Sequence, residues 1–400
     1  MKLKVQTSKM TGNQKAVISL IKAALTGKKV ELPKDLNLEE VFKIAKKHNI
    51  ITIIYYGALV CEIESNNPLM NQLFIETCKN IAISEQQMYA FREVCKAFDS
   101  NEIEYMPLKG TLLKKMYPKP EMRIMGDADI LIKTEQYEEI KPIMQSLGYS
   151  EKTESDHEFI WFKAHSLIEL HKRIIPSYNK DYFAYYGDGW NLAKIIDGTR
   201  YAMTDEDNMI YLFTHFAKHY RDAGIGIKHI VDLWVYRNCH KNMDEQYIKQ
   251  ELKKLQLYNF YENIVRTLSV WFEDNTPDEV TDFVTAVIFN SGVFGTKEAQ
   301  ILSSAVKTSK TYGNAKSVKN KKFLTAIFLP YKSMCIVFPI LKKAPYLLPI
   351  MWVVRCIRTI IFKREKIKAT KKVISKITDN KMNDYQKSLN YVGLDFNFKE

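Results

Sequence analysis

Residues 123–132 (RIMGDADILI) decide the fold of this chain, together with residues 107–110 (PLKG). Both segments are apolar runs, and the second carries Asp127 and Asp129 one residue apart. Because side chains alternate faces along a strand, the two aspartates point to the same face. Adjacent carboxylates raise each other's pKa, and a bound cation relieves their repulsion. Oxygen ligands of this kind suit Mg²⁺, which also binds phosphates.

A third acid lies in residues 166–171 (SLIELH), where alternation places Glu169 on one face with Leu167 and His171. A charged side chain in an apolar strand is costly unless water, a cation or a metal meets it. If this strand lies beside the strand of Asp127 and Asp129, three carboxylates converge. Three carboxylates can hold two Mg²⁺ ions, which is the chemistry of nucleotidyl transfer.

The composition is that of an ordinary globular protein, with 46% hydrophobic and 26% charged residues among 400. This length predicts two or three domains. The net charge of +13 favours anionic partners such as nucleotides, nucleic acid or an anionic membrane surface. The basic excess lies late in the chain, with six lysines and no acid in residues 307–322 and seven basic residues beside Glu365 in residues 363–376.

The sequence predicts a cytoplasmic protein. The six cysteines form no CxxC pair, which argues against a zinc ribbon and fits a reducing compartment. Residues 1–16 lack the apolar core of a signal peptide. Five basic residues and four prolines interrupt residues 323–362, so we expect no membrane span there. A peripheral membrane contact through this aromatic and basic tail stays open as an alternative to a structural cap.

Apolar periodicity divides the chain into four regions. A helical N-terminal region (1–100) precedes a core (101–200) in which strands and helices follow the order βαβαββ, an α/β arrangement. A second helical region (201–306) leads into a basic linker, residues 307–322, and a helical tail that ends the region 307–400. Within the core, the predicted strands are residues 103–108, 124–132, 159–162 and 166–171, and the predicted helices are residues 111–116 and 134–147.

The chain resembles a known superfamily in these motifs, taken in order: Leu-Lys-Gly, Arg-x-x-x-Asp-x-Asp-x-Leu, an acid two residues before a histidine, and a helical His-x-x-x-His. It resembles the DNA polymerase β-type nucleotidyltransferases, and more narrowly the bacterial nucleotidyltransferase family proteins, over about residues 40 to 360. The resemblance implies a small mixed sheet with helices, flanked by helical regions. It also implies Mg²⁺ or Mn²⁺ as cofactor and a nucleoside triphosphate, such as ATP, as substrate. The matching residues are Leu108, Lys109, Gly110, Arg123, Asp127, Asp129, Leu131, Glu169, His171, His215 and His219.

Asp127, Asp129 and Glu169 are thereby expected to be both catalytic and metal-binding. The superfamily usually has Gly-Ser where this chain has Lys109, Gly110 and Thr111. Here we expect Gly110 to bring its backbone close to a phosphate, Thr111 to donate a hydroxyl and Lys109 to meet the phosphate charge. Arg123 either contacts phosphate or pairs with Asp127, and the sequence does not separate these roles.

The helical His-x-x-x-His region suggests an acceptor side. His215 and His219 share one helix face, but the glutamate of the zinc-protease HExxH motif is missing, since position 216 is Phe. Lys228 stands where the family often has arginine, so an anion contact is expected. Together with Asp232, and with His171 from the core, these residues either form the acceptor side or a polar seam that packs helix on helix.

The leading hypothesis is an enzyme that transfers NMP from a nucleoside triphosphate to a hydroxyl or phosphate of a small-molecule, peptide or protein acceptor. A second hypothesis makes RNA, such as a tRNA end, the acceptor; the basic charge supports it and the lack of aromatic-basic recognition motifs weakens it. A third is a non-catalytic nucleotide-binding scaffold at a membrane surface. The absence of a Walker P-loop and of a kinase glycine-rich loop disfavours those ATP-binding classes.

Overall fold

Four helices precede the first strand in the computed structural model, which describes residues 9–64, 66–362, 365, 368, 372, 374, 375 and 377–395. Capping side chains begin three of them, because the hydroxyl of Thr11 and the amide oxygens of Asn37 and Asn67 accept from backbone N–H groups of the first turn. The helices confirm the apolar spacing of the sequence. They are α1 (Gly12–Thr26), α2 (Leu38–His48), α3 (Ile51–Val60) and α4 (Pro68–Ser100).

The centre of the chain forms a mixed seven-stranded sheet with the order β3-β4-β5-β2-β1-β7-β6. The pairs β2·β5 and β1·β7 are parallel, and the other neighbouring strands are antiparallel. Short helices α5 (Lys109–Leu113), α6 (Tyr137–Ser146) and α7 (Lys180–Tyr186) connect the strands. The strands are β1 (Tyr105–Pro107), β2 (Ala128–Ile132), β3 (Ser150–Glu154), β4 (Glu158–Lys163), β5 (Ser166–His171), β6 (Lys194–Asp197) and β7 (Arg200–Ala202).

One face of this sheet is covered by α4 and α6. Ala128 and Ile130 of β2, and Ile168 and Leu170 of β5, belong to the buried cluster that includes Phe98 of α4. Since the side chains of a strand alternate, the residues between them point to the opposite face. The sheet therefore keeps an apolar side for the core and turns its acidic side away from it.

The rest of the chain is mostly helical. Among the described residues, Arg221–Ala223 and Thr296–Tyr391 form one compact unit and the others form a second. No helix within the described ranges is long and apolar enough to cross a membrane. The helices are α8 (Asp205–Asp222), α9 (Ile227–Cys239), α10 (Glu245–Lys254), α11 (Tyr258–Phe272), α12 (Glu279–Ser291), α13 (Lys297–Tyr312), α14 (Ala315–Ile327), α15 (Tyr331–Val337), α16 (Leu348–Phe362) and α17 (Asp379–Tyr391).

The basic run 307–322 is helical, which corrects its interpretation as a linker. It forms the end of α13 and most of α14, and the side chains of Thr296 and Asn314 cap the starts of these two helices. Lysine has a long unbranched side chain that loses little freedom in a helix. A lysine-rich polar segment with good caps is therefore helical without an obvious apolar stripe.

Candidate active site

Two acidic residues meet because β2 and β5 run parallel and in register. Asp129 and Glu169 are Cα partners across this pair, and Leu131 is the partner of His171. His171 Nε2 lies 2.8 Å from Asp129 Oδ1 and 3.6 Å from Glu169 Oε2. One ligand atom from each of Asp129, Glu169 and His171 lies within 4.8 Å of the other two. The structure thus brings two of the three predicted carboxylates together and adds the histidine.

Asp127 lies just before β2 and is half-buried, but it is not part of this group of three. Its environment is nevertheless shared with the group. Burial, followed by the charges of Asp129 and Glu169, raises the pKa of Asp127 to about 6. Asp127 therefore stands at the edge of the acidic cluster, where a third carboxylate is difficult to ionise.

Lys109 supplies positive charge to the cluster. It directly follows the turn at the end of β1, where the Leu108 N–H donates to the Asp129 carbonyl over 3.0 Å. Its Nζ lies 3.7 Å from Asp129 Oδ1 and 5.8 Å from the centre of the Tyr211 ring. The backbone of Lys109 has φ of +30°, a conformation that costs a residue with a Cβ about 1–3 kcal/mol.

The charges around Asp129 determine its protonation. Burial alone would raise the pKa of this carboxyl, but Lys109 and the hydrogen bond from His171 hold it well below its usual range. Burial would lower the pKa of His171, yet its hydrogen bond to Asp129 and the nearby carboxylate of Glu169 raise it to about 9. Asp129 is therefore an anion flanked by two cations, and the site holds opposite charges at close range.

A buried ion pair supports the loop between α5 and β2. Arg123 Nε donates to Asp232 Oδ1 over 2.7 Å, and Nη2 donates to Oδ2 over 3.0 Å. Tyr117 Oη donates to the same Asp232 Oδ1 over 2.7 Å. Arg123 Nη1 also donates to the Gly110 carbonyl over 3.2 Å. The carboxylate that pairs with Arg123 is thus Asp232 of α9 and not Asp127, and its predicted contact with phosphate stays a prediction.

Gly110 and Thr111 are buried beneath this loop. A Cβ at Gly110 would lie 2.9 Å from Met125 Sδ and 3.3 Å from Arg123 Nη1, so only glycine fits without a shift. The Thr111 hydroxyl donates to the Leu108 carbonyl over 3.2 Å. Both residues thus have packing roles, and their predicted contacts with phosphate stay predictions.

His215 of α8 lies within range of the Lys109 charge, and His219 follows His215 by one helical turn. His215 and His219 are half-buried, and their Nε2 atoms are 3.1 Å apart, so one imidazole donates to the other. Burial, and then the charge of Lys109, lowers the pKa of His215 well below its usual value. The half-buried Lys228 of α9 donates to the Ile124 carbonyl over 3.3 Å, and burial followed by Arg123 lowers its pKa to about 8.

A comparison with protein families identifies the chain. Residues 34–273 match the model of a family described as uncharacterised nucleotidyltransferase, and this match spans more than half of the 400 residues. The chain belongs to this nucleotidyltransferase family. The match includes the sheet, the acidic cluster, the Arg123–Asp232 pair and the histidines of α8.

No curated protein matches the sequence of this nucleotidyltransferase. One similar solved structure is the solution structure of the antibiotic-resistance factor ANT(2″)-Ia, a protein described as having substrate-regulated conformation dynamics. It is 13% identical, covers 48% of this chain and 100% of its own, and has a TM-score of 0.32.

Two tyrosines of the nucleotidyltransferase site were not expected from the sequence. Tyr211 lies beneath Lys109, and Tyr117 binds Asp232. Tyr211 precedes His215 by one helical turn, so the spacing that singled out His215 and His219 extends back to it. Tyr117 carries no comparable signal, because its partner is 115 residues away.

Proposed function

We propose that this nucleotidyltransferase uses a divalent metal and a DNA polymerase β-like core to move NMP from a nucleoside triphosphate to an acceptor. The observation that carries the proposal is the in-register pair of Asp129 and Glu169, with Lys109 Nζ 3.7 Å from Asp129. A folding role alone does not explain two acids side by side on one face of a sheet.

The donor set fits a divalent cation. Asp129 and Glu169 offer carboxylate oxygens within 4.8 Å of each other, and Asp127 adds a carboxylate that burial and its acidic neighbours leave poorly stabilised as an anion. We propose these three residues as the ligands. His171 is not proposed as a ligand, because its Nε2 donates to Asp129. Carboxylate oxygens suit both Mg²⁺ and Mn²⁺, so both metals stay in the proposal. When bound, the metal would offset phosphate charge beside β2 and β5.

The chain's own groups then have separate tasks. Lys109 is placed to meet phosphate charge. The buried pair of Arg123 and Asp232 holds the start of α5, which carries Lys109, because Arg123 also donates to the Gly110 carbonyl. The acceptor oxygen bonds to the α-phosphorus, the bond to the β-phosphate oxygen breaks, and pyrophosphate leaves. The acceptor proton passes to a carboxylate of the cluster. Asp129 is the least suited base, since its pKa is held below the usual range.

We propose that His215, His219 and Lys228 border the acceptor. All three are half-buried, and Lys228 lies within range of the charges of Asp127 and Asp129. His171 is closer to the carboxylates, where it orients Asp129. Asp232 is saturated by Arg123 and Tyr117, so we assign it a positioning role.

A small-molecule, peptide or protein acceptor is the preferred class. The excess positive charge of the chain lies in residues 299–364, outside the matched family region, so it gives little reason to place a long RNA at this site. An RNA acceptor is the second candidate, and a non-catalytic nucleotide-binding scaffold is the third. The ion pairs that hold the acidic cluster in place argue for a working site.

Calorimetric titration of the full chain with a non-hydrolysable ATP analogue, with and without Mg²⁺ or Mn²⁺, tests the proposal. We expect metal-dependent binding in the wild type and a loss of at least about tenfold in the Asp127→Asn, Asp129→Asn double variant. The matched control is Asp197→Asn, which removes an exposed carboxylate at the distant edge strand β6. Equal affinity of the wild type and the double variant would place nucleotide binding elsewhere.

Catalysis needs a second measurement, because binding alone fits the scaffold hypothesis. Pyrophosphate release from ATP, CTP, GTP and UTP, measured with extracts fractionated by size, separates the acceptor classes. Release that depends on a small-molecule or protein fraction and disappears in Glu169→Gln supports the enzyme. Release that requires RNA supports the second candidate, and binding without release under any condition supports the scaffold.

A further inference from the structure

The C-terminal compact unit carries an apolar face on α16 that the described part of the chain leaves open. Its side chains are 41–59% exposed, far more than aliphatic residues of a folded core. With 3.6 residues per turn, their positions fall on one side of the helix. These residues are Ile350, Val353, Val354, Ile357 and Ile361, and we call them the outer face of α16.

The opposite side of α16 is packed, so its orientation is fixed. Met351 and Trp352 pack against a small core formed by Met334, Cys335 and Leu341. Trp352 Nε1 donates to the Leu329 carbonyl over 2.9 Å. A helix that is apolar on both sides is normally buried on both. The outer face is therefore a surface built for contact.

Charge identifies what this surface contacts. The 66 residues from 299 to 364 contain 13 lysines and arginines and no aspartate or glutamate. The net charge of the whole chain is also +13, so the remaining residues are balanced. Arg358 on α16 is exposed, and so are Lys342 and Lys343 shortly before this helix in the chain. Glu365, one turn after Ile361, is the first acid beyond this segment and pairs with Lys368. An apolar stripe with a mainly cationic surround complements a surface that is both apolar and anionic.

We propose that the outer face of α16 docks on the surface of an anionic lipid bilayer. The five aliphatic side chains would enter the boundary between head groups and acyl chains, while the exposed cations meet anionic head groups. At 15 residues, α16 is about 22 Å long and shorter than the hydrocarbon core, so it lies along the surface. A second copy of the chain fits less well, because it would bring two cationic surfaces together.

Flotation of the full chain with vesicles tests the docking. We expect binding to phosphatidylcholine vesicles that contain one-third phosphatidylglycerol and little binding to pure phosphatidylcholine. Val353→Ser with Ile357→Ser should reduce the bound fraction at least about tenfold. The matched control is Ile195→Ser with Ile196→Ser, which changes two aliphatic side chains of β6 that are 66% and 58% exposed. Thermal melts should be unchanged, since all four positions are exposed.

The charge is tested separately. Lys342→Gln, Lys343→Gln and Arg358→Gln together should weaken binding to anionic vesicles severalfold, and so should high salt. Three results would overturn the proposal: no binding of the wild type to anionic vesicles, equal binding by both serine pairs, or a lipid-free dimer that only the α16 pair dissociates. None of these depends on nucleotide chemistry, so the docking can fail while the proposed function stands.

Discussion

At the scale of single residues, Asp129 is the residue on which the site depends most. Its side chain is buried, and its carboxylate pairs with two cationic side chains, Lys109 and His171. Removing one partner of a buried ionic cluster leaves the others without compensation, which costs more than the pair itself contributes. The metal-free protein therefore relies on this carboxylate for stability, in addition to any role in catalysis.

We expect Asp129→Asn to destabilise the chelator-treated protein by about 3 kcal/mol, because Lys109 and His171 lose their anionic partner. Urea unfolding in the presence of EDTA measures this change. Asp197→Asn, at an exposed strand edge, should change the free energy of unfolding by less than about 0.5 kcal/mol. A stable Asp129→Asn variant would mean that these cations find other partners.

Arg123 is a second residue whose chemistry is specific. Its guanidinium binds both oxygens of Asp232 and the Gly110 carbonyl, a geometry that lysine cannot reproduce. Arg123→Lys should lower the free energy of unfolding by about 2–4 kcal/mol. Arg92→Lys, at an exposed position of α4, is the matched control and should be nearly neutral. Similar melting temperatures for the two variants would contradict this interpretation.

At the scale of elements, His48 joins three helices. The N–H of Ile227, the first residue of α9, donates to Nδ1 over 3.2 Å, so Nε2 carries the hydrogen and donates to the Phe289 carbonyl of α12 over 3.1 Å. Burial lowers the pKa of this imidazole from 6.5 to about 4. His48 is thus neutral in the folded protein over a pH range in which the same histidine is protonated in the unfolded chain.

This shift predicts acid sensitivity. As pH falls from 6.5 to about 4, His48 binds a proton in the unfolded state but not in the folded state. The free energy of unfolding therefore falls by up to about 3 kcal/mol. His48→Asn removes this contribution, and its stability should fall less steeply over the same range. Chemical unfolding at several pH values measures both slopes. His165→Asn, at an exposed turn, should keep the wild-type slope.

The crossing of α1 and α3 depends on one glycine. A Cβ at Gly57 would lie 2.0 Å from the Leu20 carbonyl oxygen, which no real contact allows. Alanine stabilises a helix by about 1 kcal/mol relative to glycine. Gly57→Ala should nevertheless destabilise the protein by at least about 2 kcal/mol. Thermal unfolding tests this against Gly126→Ala, where a methyl group meets open space. A higher melting temperature for Gly57→Ala would contradict the close crossing.

At the scale of the whole molecule, the spacing of apolar residues predicted the helices and strands that bury apolar surface. The helices α1 to α4 and the strands β2 and β5 were foreseen because apolar residues recur at helical or strand spacing. Strand β3 was missed, because all five of its residues are exposed and none is apolar. The short strands β6 and β7 were missed for a similar reason: a strand of three or four residues shows too little alternation.

The residues of the candidate site also fall into those that the sequence predicts and those that it does not. Alternation along two strands placed Asp129 and Glu169 on one face, and the register confirms that they are neighbours. The pairing of Arg123 with Asp232 spans 109 residues, and no local pattern reports such a contact. The dual role of His171 depends on a distance between side chains, which spacing does not provide. Sequence therefore located the acids but not the partners that position them.

The parallel register of β2 and β5 also determines which single-residue insertions the protein tolerates. An extra residue at the exposed turn Ala164–His165 lengthens a loop, and loop length has only a weak effect on stability. An extra residue between Ile168 and Glu169 shifts the phase of β5 and sends Glu169 to the side that faces α4. In a scan of single-residue insertions, we expect soluble protein from the first and loss of metal-dependent nucleotide binding from the second. Natural variation in this family should accordingly collect insertions at the hairpin tip while the spacing inside β5 stays invariant.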